Sequence, residues 1–306
     1  MTAAARDRAA ARPGLPVSGP LLVLLAAVLW GTVGVASHLL GGLEALSPLV
    51  IGFFRLGLAV PLLALWCWWR LGAGMFRFPG RDRPRIAGVG LAMAAYQACY
   101  FQAVADIGVA LATLITICSA PVIVGGLATL TLGERVTRPV LVALVLGLAG
   151  AALLIGAPLP EDARPAGVAW ACGSAASYAG FVLLSRSLAA RHDPGKIIVT
   201  GFGAGAVILL PLALMAGADP ADWGGPVWAV LLYIGLVPTG LAYLLYFRGM
   251  KTTAATPASL LTLSEPLTAA LLAFALFGER LGPAALAGTA LLLVTMVILM
   301  RAPGRG

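Results

Sequence analysis

Charge is scarce in this chain. Asp, Glu, Lys and Arg together make up 10% of its 306 residues, against roughly 25% in ordinary soluble domains. Hydrophobic residues make up 60%. No soluble fold of this length has an interior large enough to hide that much apolar surface, so the composition excludes a soluble protein and indicates an integral membrane one. Histidine is scarcer still. With only His38 and His192, a histidine-rich metal centre is excluded. The four cysteines, Cys67, Cys99, Cys118 and Cys172, sit within apolar segments at no metal-like spacing, which leaves neither a zinc site nor a disulfide framework. No Gly-x-x-x-x-Gly-Lys-Ser/Thr loop is present, so this chain does not drive work by its own ATP hydrolysis. A Ser/His pair, an Asp dyad or a His/Cys cluster at membrane depth is also missing, which argues against an intramembrane enzyme. The rings of repeated polar or charged residues that line a channel are missing too. No metal or cofactor is expected. The net charge of +8 does not indicate a nucleic-acid partner, because the basic residues fall in short loops and at the termini, where they orient membrane helices.

What the chain does have is a phrase written twice. Ser119-x-Pro121 and then Gly133-Glu134-Arg135 return 145 positions later as Ser264-x-Pro266 and Gly278-Glu279-Arg280. The eleven residues between Pro and Gly are almost wholly apolar in both copies. A repeat of half the chain is too long for a solenoid and suits two duplicated sets of membrane helices. Apolar runs broken by Gly, Pro and charge predict ten spans: residues 20–40, 46–69, 84–105, 109–132, 137–157, 166–189, 195–216, 224–247, 254–277 and 282–300. The first run is too long for a signal-peptide core and reads as a retained span. Residues 1–19 and 301–306 then become tails, flanking a first repeat at 20–157 and a second at 166–300.

Lys and Arg test the count. Seventeen of the twenty fall on the side of the two tails, Arg164 and Arg280 fall on the other, and Arg55 remains inside the second span. Such a split places both termini in the cytoplasm. Five spans per repeat is an odd number, so the second half is expected upside down relative to the first. The fold class is an all-α integral membrane protein of ten helices in two inverted five-helix repeats, the pattern of alternating-access carriers.

At this point the motifs match a family. The paired Pro-(eleven residues)-Gly-Glu-Arg, with Leu29-Trp30-Gly31 in the first span and Phe53-Phe54-Arg55-Leu56 in the second, resemble the drug/metabolite transporter superfamily, EamA type, over residues 20–300. Within it the chain looks most like the aromatic amino-acid exporter branch. The resemblance implies a transporter of the cell's inner membrane that exports small metabolites, and the branch implies hydrophobic or aromatic amino acids. Efflux of cationic drugs is the alternative among carriers, and a non-transporting membrane scaffold the alternative outside them. The expected partners are a small-molecule substrate and the lipid bilayer, with the chain a monomer or a weak homodimer.

Polar groups at membrane depth need a reason, since charge there costs about 2.5–3.5 kcal/mol on insertion scales. Arg55 is either a fork for a substrate carboxylate or a cap on carbonyls of a broken helix. Glu265 replaces Ala120 of the first repeat. It is a proton-coupling carboxylate, a contact for a substrate amine, or a partner of backbone freed by Pro266. Tyr96, Gln97 and Tyr100 share a face of the third span, and Thr239, Tyr243 and Tyr246 form one stripe of the eighth. A shift of 146 lays Gln97 on Tyr243 and Tyr100 on Tyr246, while Tyr178 aligns with Trp30 as Ser185 does with Ser37. The candidate substrate-binding set is Trp30, Arg55, Tyr96, Gln97, Tyr100, Thr116, Tyr178, Tyr243, Tyr246 and Glu265. The alternative for the aromatics is packing, and for Thr116 satisfaction of proline-freed carbonyls. Pro121 and Pro266 are candidate hinges. Glu134 and Glu279 read as structural helix-end residues. Gly147, Gly150, Gly282 and Gly288 suit close helix packing, within the monomer or across a dimer.

Overall fold

The computed structural model describes residues 18–44, 46–156, 164–217, 219–278 and 282–301. Residues 1–17 and 302–306 of the expected tails at 1–19 and 301–306, and Glu279-Arg280 of the second motif, lie outside the described residues. Every regular element among the described residues is helical. Ten long rods follow one another: α1 Gly19–Leu43, α2 Pro48–Leu71, α3 Arg83–Ile107, α4 Val109–Leu132, α5 Arg138–Ile155, α6 Pro165–Ala189, α7 Pro194–Met215, α8 Gly225–Gly249, α9 Ala255–Phe277 and α10 Pro283–Arg301. Each expected span coincides with one rod, within three residues at either end. Nine are long and apolar enough to cross a membrane. The other, α3, has 25 residues, enough for about 37 Å of helix, but Arg83, Arg85 and its polar Tyr96–Gln97 stretch lower its hydropathy.

Proline opens many of these helices, standing in the first turn of α2, α3, α5, α6, α7 and α8, where its missing N–H has no intrahelical partner to lose. The repeated Gly-Glu-Arg explains itself at its first residue. Gly133 closes α4 at φ 67° and Gly278 closes α9 at φ 69°. Both are left-handed, a conformation that glycine adopts without steric cost.

Two rods are not regular. In α8 a π-helical turn spans Leu236–Leu241. Pro238 cannot donate to Ile234 O, four residues earlier, and the Thr239 hydroxyl donates to that carbonyl instead, at 2.8 Å. In α9 the α-helix stops at Leu261 and restarts at Ser264. Pro266 cannot reach back to Thr262 O, which accepts from Glu265 N at 2.9 Å. The paired prolines thus act differently, because α4 runs unbroken through Pro121.

The packing follows a pseudo-two-fold axis. The helix α3 packs on α6 as α8 packs on α1, and α4 on α6 as α9 on α1. The pairs α2–α7 and α5–α10 meet across the axis. At the second of these, a Cβ on Gly288 would lie 2.6 Å from Gly150 O, and one on Gly150 3.0 Å from Gly288 O. Gly147, Gly150 and Gly288 therefore serve packing within the chain, whereas Gly282 precedes α10 and a Cβ there would meet nothing within 4 Å. The halves also meet through the connecting segments. Asp82, at the start of α3, is buried and pairs with His192 at 2.8 Å, Arg191 at 3.1 Å and Arg85 at 3.3 Å. The hydrogen bond from His192 and the charge of Arg191 hold its carboxyl below the usual carboxylate range.

Candidate functional site

A cavity of about 590 Å³ lies among α1–α5 and α9. Its lining begins near the middle of the bundle at Trp30, Arg55 and Glu265 and runs to Pro48, Val109 and Ile155. Those three stand at the ends of α2, α4 and α5 that share one face of the bundle, so the cavity opens there.

Most of its wall is apolar, and its polar groups are few and tied down. Gln97 Nε2 donates to Gly52 O at 3.2 Å. The Tyr100 and Thr113 hydroxyls are 2.6 Å apart. Thr116 donates to Ala171 O at 3.3 Å. Arg55 Nε donates to the Thr239 hydroxyl at 3.1 Å, which in turn holds Ile234 O, the carbonyl left free by Pro238. Arg55 is thereby anchored on the π-turn of α8 through one nitrogen. Its two Nη atoms have no hydrogen-bond partner among the described residues. Glu265 lies on the wall formed by α9, one residue before Pro266, where the restart of that helix brings it to the lining. No ion pair joins it to Arg55 among the described residues, so the cavity offers one cation and one carboxylate, both unpaired. Gly31 makes this wall possible, since a Cβ there would lie 2.7 Å from Glu265 O.

Of the sequence candidates, Trp30, Arg55, Tyr96, Gln97, Tyr100, Thr116 and Glu265 line this one cavity. Tyr178 lines a side pocket of about 30 Å³ behind Glu265, shared with Tyr96, Thr116 and Thr262, which has room for about one water. Tyr243 and Tyr246 do not line either space. They are 3% and 0% exposed and pack behind Trp30, with ring centroids 4.7 and 5.3 Å from it and with Phe181 and Phe202 on their other sides. The repeat makes them counterparts of Gln97 and Tyr100, yet among the described residues they are packed shut while that first pair faces the cavity. Pro266 reaches the lining; Pro121 is buried outside it.

Sequence reasoning did not select Ile51, Phe101, Val104, Thr113 or Ala269, all of which line the cavity. Helical spacing carried the signal for most: Ile51 is four residues before Arg55, Val104 four after Tyr100, Thr113 three before Thr116, and Ala269 four after Glu265.

The EamA-like transporter family matches the chain twice, over residues 17–156 and 165–301. The uncharacterized transporter YwfM of Bacillus subtilis is 35% identical over 289 residues, 92% of this chain and 94% of the relative. A probable terminal-alkyne amino-acid exporter of Streptantibioticus cattleyicolor is 31% identical over 234 residues, 74% of this chain and 76% of the relative. A solved crystal structure superposes with a TM-score of 0.78 over 92% of this chain and 95% of its own, at 20% identity, and so shares the fold.

Proposed function

Because this chain belongs to the EamA-like transporter family, a multi-pass membrane transporter and not an enzyme, we propose that it carries amino acids with large apolar side chains out of the cytoplasm. The observation that carries this reading is the presence of the free Arg55 Nη atoms and of Glu265 on the walls of one apolar, aromatic-rich cavity of about 590 Å³. That volume is typical of small-molecule sites. A zwitterion presents a carboxylate to the free Nη atoms of Arg55 and an ammonium to Glu265, while Trp30, Tyr96 and Tyr100 receive an apolar or aromatic side chain. The two charges, each costly to hold at membrane depth, are offset when the substrate pairs with both. The relative named as a probable amino-acid exporter supports the substrate class and the direction. The seventeen-to-two distribution of Lys and Arg supports cytoplasmic termini in an inner membrane. In that orientation the cavity faces outward. Pro121 and Pro266 remain candidate hinges, with the broken α9 the more compliant of the two.

The test is competition for labelled phenylalanine in proteoliposomes by three compounds: phenylalanine, the amine lacking its carboxylate, and the acid lacking its amine. Charged hydrogen bonds are worth about 1.5–3 kcal/mol, so the zwitterion is expected to compete at least about tenfold better than either analogue. Arg55→Ala should abolish the discrimination against the amine. An amine that competes as well as phenylalanine in the unaltered protein points to cationic efflux and overturns the amino-acid reading.

A further inference from the structure

Glu134 and Arg186 lie at the end of the bundle opposite the cavity mouth and are used by nothing described so far. Glu134 follows the left-handed Gly133 at the end of α4, and its side chain crosses into the second half. Both its oxygens accept from Ala255 N at 2.9 Å, and one lies 3.5 Å from Thr256 N. It therefore caps the N-terminus of α9, where unpaired N–H groups and the positive end of the helix dipole favour a carboxylate. Arg186, near the end of α6, has its Nε 3.5 Å from the same carboxylate. Its Nη1 donates to Met250 O at 2.7 Å and Lys251 O at 3.2 Å, gripping the chain just after α8. Two side chains thus tie α4, α6, α8 and α9 together across both repeats, and they are only 13% and 18% exposed.

What lies beneath this clamp is unlike a permanent core. Among the described residues, Ser185 Oγ, Tyr246 OH, Thr253 Oγ1 and Thr256 Oγ1 are buried with no hydrogen-bond partner, as is Trp30 Nε1 on the floor of the open cavity. All four lie on the segments that the clamp ties: Ser185 adjoins Arg186, Thr253 and Thr256 flank the residue held by Glu134, and Tyr246, packed on Trp30 and stacked on Phe181, lies one turn before Met250, whose carbonyl Arg186 holds. Cores pair their buried polar groups, so a cluster of orphans marks a region that is wet in another state. The repeat agrees independently. Ser185 is the counterpart of Ser37 and Tyr246 of Tyr100, and both counterparts line the open cavity.

We propose that the Glu134–Arg186 clamp is the latch of a second entrance to the cavity, closed in this structure and lined by Ser185, Tyr246, Thr253 and Thr256. The inference rests on the carrier reading and on neither the substrate nor the direction of transport. Trp30, lining the open cavity on one side and packed on Tyr243 and Tyr246 on the other, is the partition between the two entrances. The carboxylate and guanidinium act as positioning residues: they hold the N-terminal piece of α9, Ala255–Leu261, and through the break at Thr262–Leu263 they set the piece that carries Glu265. Weakening the latch shifts the population toward the state open at this end, and closes the present mouth in proportion.

The test uses the full chain in proteoliposomes with the four native cysteines replaced by serine. One cysteine is introduced as Ser185→Cys, or as Ser37→Cys for the open cavity, and a membrane-impermeant thiol reagent is applied to each face separately. The Ser185→Cys thiol should react slowly, and at least about tenfold faster when Glu134→Gln is added. The Ser37→Cys thiol, reached from the other face, should slow. Arg186→Gln, which also releases Met250 O and Lys251 O, should have the same two effects. If Ser185→Cys reactivity is unchanged in folded Glu134→Gln and Arg186→Gln proteins, the latch is refuted. If both thiols speed up together, the clamp is a stability element and the proposal also fails. Labelling needs no substrate, so failure of the amino-acid reading in transport leaves this result independent.

Discussion

Tyr243 shows how one side chain changes meaning with its surroundings. By spacing it belongs to a polar-aromatic stripe; in the structure it fills the core between Trp30 and Phe202, with centroids 4.7 Å away from each. Truncating a buried aromatic costs about 3–5 kcal/mol. Tyr243→Ala is accordingly expected to lower the thermal unfolding temperature and to depress transport of all substrates alike. Tyr100→Ala, removing a wall of the open cavity, is expected to weaken aromatic substrates about threefold to tenfold more than small ones. Transport assays with phenylalanine and alanine, run beside melting curves, separate the two, and selective loss of aromatic substrates in Tyr243→Ala would contradict this assignment. Arg55 differs again. Its residue type fits a substrate fork or a helix cap, and the structure ties its Nε to the π-turn of α8 through Thr239 while leaving its Nη atoms unengaged among the described residues. Nothing in the sequence divides one guanidinium in this way, because the division depends on where α8 passes α2.

Among the elements, α8 and α9 carry the irregularities and also hold the charged groups. The π-turn of α8 forms because Pro238 frees Ile234 O and Thr239 is placed to bond to it. Such turns recur at functional sites. Thr239→Val keeps the shape but removes the hydroxyl, leaving Ile234 O without its donor and Arg55 Nε without its acceptor. The expected result is a loss of about 1–3 kcal/mol of stability together with weaker substrate binding, while Thr239→Ser retains both. Equal binding by the valine and serine variants would sink the anchoring role. The helices themselves were legible because Pro and Gly mark their ends and apolar runs of span length admit no other structure in a bilayer. The π-turn was not, since Pro238 in an apolar run announces a freed carbonyl without saying which group will satisfy it. The unequal behaviour of Pro121 and Pro266 was hidden for the same reason.

At the scale of the whole molecule, two inverted halves are tied on one face by the Glu134 clamp and by the Asp82 cluster. Asp82 belongs to the first half; His192 and Arg191, which hold its carboxyl below the usual range, belong to the second. A carboxylate whose pKa is lowered on folding stabilises the fold fully above its unfolded value, about 3.9, and ceases to do so as pH falls through the lower folded one. Unfolding of the detergent-solubilised protein from about pH 6 to about pH 3 should show stability falling at the acid end. Asp82→Asn should be less stable near neutrality and should lack that part of the acid loss. Parallel acid profiles for the two proteins would remove Asp82 from the account.

The sequence by itself determined the solvent, the helix count, the inverted duplication and the family, since each follows from composition, span length, the odd number of helices per half and the repeated motif. It also named seven residues of the cavity, because charge and polarity inside a membrane helix are rare enough to stand out. Only the tertiary structure decided which of the two repeat-related faces is open. Gln97 and Tyr100 face a cavity while Tyr243 and Tyr246 are packed shut, although the repeat makes them equivalents. A repeat encodes both arrangements in one chain, and the choice between them rests on the contacts that close one end, foremost those of Glu134 and Arg186 with the N-terminus of α9 and the end of α8.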